Sequence, residues 1–372
     1  MTAAEIVLRE YKEYLAPSFT NISQLGTEKF PLHTFSPKLI EELCEHAKTV
    51  LKTQPTVLLL TGSVMVVGDV HGNIFDVVRI LKNGGLPISH KYLFLGDFVD
   101  RGDYSIDVMV LLFAMLVQFP QNCFLVRGNH ELKCINSKYG FYESTYARYN
   151  DDGPFNNVNE VFNYLPLAAV VNQRYFCAHG GISQYLRHYS QLNKIIKPFD
   201  NMEETADYRI VSDVLWGDPV DGPNGMQLAK RGIGNQYTEQ MVSDFLRRNK
   251  LEAIIRAHTP IDTGVARQYN NQLYTVFSSS DIEESLQCGV LFLTMTSPPN
   301  PFVMNPIRVV PIESAVFKQF KAPMISTGIK ANSLLLTTTA RDHHIVKPTT
   351  KRIRHVSTSL ILNVWKSGRP QE

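Results

Sequence analysis

Nowhere in the 372 residues is there an uninterrupted apolar run of the roughly 18 to 20 that a bilayer-spanning helix needs. Runs such as Val57 to Leu60 and Val64 to Val67 fall far short, so no membrane helix is expected. The start, Met1-Thr2-Ala3-Ala4-Glu5-Ile6, lacks the basic stretch and apolar core of a secretory leader, and cytosol or nucleus is the expected compartment. Cysteine is scarce. The five, Cys44, Cys123, Cys134, Cys177 and Cys288, form an odd set without a C-x-x-C pair, which excludes a disulfide framework and a zinc ribbon and leaves free thiols. Internal repeats are absent too, and charged residues are only 19%. With 44% apolar residues the chain is neither disordered nor a coiled coil, and it can close a sizeable core.

The net charge of +2 is unevenly spread. From Pro311 onward ten Lys and Arg face three acids, which leaves 27 basic and 32 acidic residues in positions 1 to 310. A basic tail of +7 therefore follows a body of −5, and nucleic acid is not an expected partner of the body. Three regions are expected. Residues 1–52 form a helical cap, with Ile6, Leu8, Tyr11 and Leu15 in one helix and Leu39, Leu43 and Val50 in a second that starts at Ser36-Pro37. Residues 53–310 form the main domain. Residues 311–372 form a Ser/Thr-rich basic tail, expected to be largely disordered.

Within the main domain one arrangement recurs five times: a short apolar run ends in a cluster of Asp, His, Asn, Arg and Gly. Val64 to Val67 runs into Gly68-Asp69-Val70-His71-Gly72, and Tyr92 to Leu95 into Gly96-Asp97-Phe98-Val99-Asp100-Arg101-Gly102. Cys123 to Val126 meets Arg127-Gly128-Asn129-His130-Glu131, Tyr175 to Ala178 meets His179-Gly180-Gly181, and Ala253 to Ala257 meets His258. Polar residues just past the carboxyl ends of strands in an α/β sheet converge on one crevice. Between the first two runs Ile74, Val77, Val78 and Leu81 have the spacing of a packed helix, so a βαβ unit is expected.

Pooled, these strand ends supply Asp69, His71, Asp97, Asp100, Arg101, Asn129, His130, His179 and His258. Imidazole and carboxylate without thiolate suit Mn, Fe or Zn in a reactive rather than a structural site. Six plausible ligands exceed what one catalytic metal with open positions uses, which points to two metals with Asp97 shared.

In this order and spacing GDVHG, GDFVDRG, RGNHE, HGG and RAH resemble the serine/threonine phosphatases of the phosphoprotein phosphatase group, within the calcineurin-like metallophosphoesterases. Tyr139 to Glu143, Leu165 to Ala169 and Leu215 to Pro219 look most like protein phosphatase 1. The resemblance spans about Val64 to Leu293. It implies a four-layer α/β sandwich, two mixed sheets between helices, with a dinuclear metal site at the strand carboxyl ends. By the same resemblance Asp69, His71 and Asp97 hold one di- or trivalent metal ion, and Asp97, Asn129, His179 and His258 hold the other. A hydroxide between the metals would attack phosphorus in line, with His130 as general acid oriented by Asp100. Arg101 and Arg231 would bind the substrate phosphate, and Asp218, beside a packing Trp216, is a candidate for supporting the ligands from behind. Cys134 and Cys177 lie near these motifs and are expected in the core. The implied partners are phosphoprotein substrates and separate regulatory subunits.

Departures from the family are local. Ser278-Ser279-Ser280-Asp281-Ile282-Glu283 replaces a Ser-Ala-Pro-Asn-Tyr-Cys loop, so a phenol is lost and a carboxylate gained where an anionic substrate is expected. Asn235-Gln236-Tyr237-Thr238 replaces aromatic-Thr-aromatic-Gly after Arg231, and Gly217 replaces a serine. No metal ligand or proton donor is lost, and a protein phosphatase is the expectation. The rivals are a weakly active scaffold that binds regulators, and a metallophosphoesterase acting on small molecules such as dinucleoside polyphosphates.

Overall fold

The computed structural model describes residues 1–199, 206–222, 232–280 and 286–320. Arg231, Asp281, Ile282, Glu283 and the tail from 321 onward lie outside the described residues. The chain divides into two units, Met1–Gln319 and Phe320–Glu372.

The two N-terminal helices arise where the sequence signals them. In α1 (Ala3–Leu15) the Thr2 hydroxyl accepts the Glu5 N–H while the Glu5 carboxylate accepts that of Thr2, a reciprocal cap. A short strand, β1 (Leu32–Thr34), precedes α2 (Pro37–Thr53), where Ser36 caps Leu39 N–H and Pro37 opens the first turn. The main elements follow as β2 (Val57–Leu60), β3 (Val64–Val67), α3 (Ile74–Gly84), β4 (Lys91–Phe94), α4 (Ser105–Gln118) and β5 (Cys123–Leu125). Next come α5 (Lys133–Asn136), α6 (Phe141–Tyr149), α7 (Gly153–Phe162), β6 (Ala168–Val171), β7 (Tyr175–Ala178) and α8 (Ala206–Trp216). The remainder is β8 (Asp218–Pro219), β9 (Gln236–Tyr237), α9 (Glu239–Asn249), β10 (Ala253–Arg256), β11 (Val265–Gln268), β12 (Leu273–Val276), β13 (Cys288–Leu293), β14 (Asn300–Met304) and β15 (Phe317–Gln319).

Two mixed sheets carry the site. One has six strands in the order β11-β12-β10-β7-β6-β2, the other five in the order β14-β13-β3-β4-β5. The parallel pairs β3/β4 and β4/β5 are joined by α3 and α4, which is the expected βαβ arrangement. Because strands alternate their side chains, each sheet turns one row inward: Val64, Val66, Leu93 and Leu95 of one meet Ala169, Cys177, Ile255 and Tyr274 of the other in a single core. The opposite rows face helices, as where Phe176 packs edge-on to Phe245 of α9 at 5.1 Å. Helix α4 is apolar almost all round and is buried accordingly. It supports α1 and α2, so the helical N-terminus is part of the first unit.

The structure differs from the expected boundaries at the C-terminal end. Phe317 to Gln319 pair in parallel with Leu32 to Thr34, and Arg148 lies over the Phe317 ring at 4.3 Å. Residues 311–319, read from the sequence as tail, therefore belong to the first unit. Cys134 is another difference: it is exposed on α5, whereas Cys177 is buried between the sheets. Among the described residues no helix is long and apolar enough to cross a membrane.

Candidate metal centre

Asp69 and His71 follow β3; Asp97, Asp100 and Arg101 follow β4; Asn129 and His130 follow β5. His179 follows β7 and His258 follows β10, so both sheets deliver side chains to one point. The backbone there is strained. His71, Asp97, Asp100, Arg101 and His258 have φ between 41° and 70°, a region that costs a side chain on the order of 1–3 kcal/mol. Cross-links between the loops hold these conformations: the Asp97 carbonyl accepts from Val70 N–H and His71 N–H at 3.2 and 2.9 Å. Glycine is required at 128, where a Cβ would lie 2.4 Å from both the nitrogen and Oδ1 of Asp97.

Hydrogen bonds to main-chain carbonyls decide which imidazole nitrogens face inward. His71 Nδ1 lies 3.0 Å from the Val99 oxygen, and His179 Nδ1 lies 2.9 Å from that of Leu95. A carbonyl only accepts, so these nitrogens carry protons and both Nε2 atoms are turned toward the centre, where a neutral imidazole presents a lone pair. His71 Nε2 is 3.8 Å from Asp69 Oδ2 and 3.6 Å from Asp97 Oδ2. His179 Nε2 is 2.8 Å from Asn129 Oδ1, 3.1 Å from His258 Nδ1 and 3.3 Å from Asp97 Oδ1. Two clusters result, His71 with Asp97 and His130, and Asp97 with His179 and His258, each with its ligand atoms within 4.8 Å of one another. Asp97 belongs to both.

The electrostatics suit cations. Burial, and then the neighbouring Asp97, push the Asp69 carboxyl up to about 6. Asp97 is held well below the carboxylate range: burial acts to raise it, but His179 and His130 outweigh that. Burial, followed by the Arg101 charge, keeps His71 neutral. Asp69 Oδ1 accepts His258 N–H at 2.9 Å, but its buried Oδ2 has no hydrogen bond. Buried carboxylates, an orphaned oxygen and converging imidazole nitrogens are the donor set of a di- or trivalent metal centre, so the residues fit metals.

A family model described as calcineurin-like phosphoesterase matches residues 62–262. The chain belongs to the calcineurin-like phosphoesterase family. Among solved structures it is similar to a protein serine/threonine phosphatase from Saccharomyces cerevisiae described as similar to human phosphatase PP5. The two are 29% identical with a TM-score of 0.67, over 73% of this chain and 90% of that one. A cold-active protein-tyrosine phosphatase of a psychrophilic Shewanella species is more distant, 15% identical with a TM-score of 0.47, over 66% of this chain and 79% of that one.

Other expected residues take distinct places in this phosphoesterase. His130 Nδ1 is 2.6 Å from Asp100 Oδ2, and its Nε2 is 3.9 Å from Asp97 Oδ2. Burial lowers the His130 pKa, but Asp97 and the Asp100 hydrogen bond outweigh it and hold the imidazole above its usual value. Arg101 is exposed at the edge of the cluster, with its N–H on the Tyr139 carbonyl. Trp216 packs edge-on to His258 at 5.8 Å. Asp218 Oδ1 accepts from Arg256 Nη2 at 2.9 Å and Thr259 Oγ1 at 3.0 Å, on either side of His258 in sequence.

Sequence reasoning missed three groups. Arg256, fully buried, also donates to the Gly180 and Gly217 carbonyls and so ties the His179 loop to the His258 loop. Asp76 of α3 accepts from Ser280 N–H and Oγ, which anchors the Ser278–Ser280 segment. Glu131 accepts three main-chain N–H groups at the centre. The available signal was a charge within or beside an apolar run, because a buried charge requires partners.

Proposed function

We propose that this phosphoesterase hydrolyses phosphoserine and phosphothreonine in proteins, assisted by regulatory subunits that select its targets. The observation that carries the reading is the 2.6 Å hydrogen bond from His130 Nδ1–H to Asp100, which leaves Nε2 beside the Asp97 cluster. A serine alkoxide is a strongly basic leaving group, and its departure needs a proton in flight. A buried imidazole kept protonated by two carboxylates, one of them fixing its orientation, is built to give one. The similar yeast enzyme is a serine/threonine phosphatase, which favours the same substrate class.

Asp69, His71 and Asp97 would hold one metal, and Asp97, Asn129, His179 and His258 the other, with Mn, Fe or Zn suited to this nitrogen and oxygen set. Bound there, the ions supply Lewis acidity toward the phosphate and lower the pKa of an attacking water. The chain's own groups do the rest. Asp100 fixes the His130 tautomer through Oδ2 while its Oδ1 accepts Phe141 N–H at 3.0 Å, so the carboxylate cannot rotate away. Arg101, exposed at the edge, would take two phosphate oxygens in one plane, and Arg231 would share the task. His130 Nε2–H donates to the leaving oxygen and is reprotonated from solvent.

The test is phosphate release from a phosphoseryl peptide and from a dinucleoside polyphosphate by the Mn²⁺-supplied protein. Turnover of the peptide that falls about 10²-fold or more in His130→Asn is expected. Turnover of the dinucleotide alone would move the assignment to small molecules. Metal binding with no turnover of either would leave a binding protein.

A further inference from the structure

Glu131 is completely buried, and nothing in the proposed chemistry uses it. Its carboxylate is nonetheless fully engaged. Oε2 accepts the Asp97 N–H at 2.8 Å and the Gly128 N–H at 2.9 Å, and Oε1 accepts the Phe98 N–H at 2.8 Å. One side chain thus clasps the loop after β4 to the loop after β5. The clasp is reciprocal, because Asp97 Oδ1 accepts the His130 N–H at 3.0 Å. Glu131 is itself gripped from behind, its main-chain carbonyl accepting from Arg127 Nε at 3.3 Å and Nη2 at 3.0 Å.

Asp97 needs such a hold. It sits at φ 53°, where a side-chain-bearing residue is strained, and it is the one residue common to both ligand clusters. A shift of its main chain would move both clusters at once. We infer that Glu131 is a positioning residue for Asp97: by accepting the N–H groups of Asp97, Phe98 and Gly128 it fixes the shared carboxylate at the spacing that binds metal. The inference rests on the reading of Asp97 as a shared ligand. Geometry rather than charge is the agent, since a carboxamide in this place offers one oxygen and turns N–H groups toward a third donor. An aspartate keeps the charge but stops one methylene short.

The experiment is calorimetric titration of the metal-free full chain with Mn²⁺ for wild type, Glu131→Gln, Glu131→Asp and Asp97→Asn, with a thermal melt of each metal-free protein. Partners that orient ligands typically change metal affinity about 10–100-fold. That weakening is expected in both Glu131 variants. A merely structural glutamate would lower the melting temperature and leave the Mn²⁺ affinity alone. Affinity within about threefold of wild type in either folded Glu131 variant overturns the inference, and so does a loss confined to Glu131→Gln, which would assign the effect to charge. Failure of the underlying reading looks different: Asp97→Asn would then bind Mn²⁺ like wild type.

Discussion

Asp100→Asn isolates the proton donor. The Asp100 carboxylate accepts from His130 Nδ1 through Oδ2 and from Phe141 N–H through Oδ1. In the variant one of these contacts must face an NH₂. If the oxygen stays on Phe141 N–H, the amide turns two donors toward His130 Nδ1, which then has to accept. The doubly protonated imidazole, which is the acid, loses a charge-assisted hydrogen bond of about 1.5–3 kcal/mol. At about 1.4 kcal/mol per decade that is about 10- to 10²-fold less acid near neutrality. The loss falls on kcat for a phosphoseryl peptide, whose alkoxide must be protonated as it leaves. It should be under about threefold for p-nitrophenyl phosphate, whose phenolate leaves readily as an anion. The pH profile gives a second readout. The wild-type His130 pKa is raised, so activity declines as pH rises through it, and the variant should begin that decline at lower pH. Metal content, measured in both proteins, should be equal. Equal losses on the two substrates, or an unmoved basic limb, would refute the role given to the pair.

Two further predictions concern stability. Arg148 Nη1 is 2.8 and 2.7 Å from the two oxygens of Asp107, a carboxylate only 3% exposed, so Arg148→Met strands a buried charge. A loss of about 3–5 kcal/mol in urea unfolding is expected, largely restored when Asp107→Leu is added, and a loss below about 1 kcal/mol would contradict it. His33, buried between β15 and α1, is held below its ordinary pKa by burial despite Glu10 at 3.6 Å. The folded state binds that proton more weakly than the unfolded chain, so stability is full above about pH 6.5 and declines as pH falls below it. The melting temperature of His33→Phe should drop less than that of wild type between pH 7.5 and 5.5, and parallel drops would disprove the assignment.

Much of this was legible in the chain. The five apolar runs ending in Asp, His and Asn identify parallel strands, because both faces of such a strand are buried while its carboxyl end opens on a crevice. The cap at Ser36-Pro37 and the helix from Ile74 are equally local, set by spacing and by the first turn's orphan donors. Those features rest on a few consecutive residues. What tertiary structure alone decided depends on distance across the fold. No spacing reveals that Glu131 fastens two loops or that Arg256 links His179 to His258, since each rests on strands that become neighbours only when the sheets stack. Residues 311–319 make the same point. Their composition is that of a tail, and only the pairing of Phe317 to Gln319 with Leu32 to Thr34, nearly three hundred positions earlier, makes them part of the folded unit.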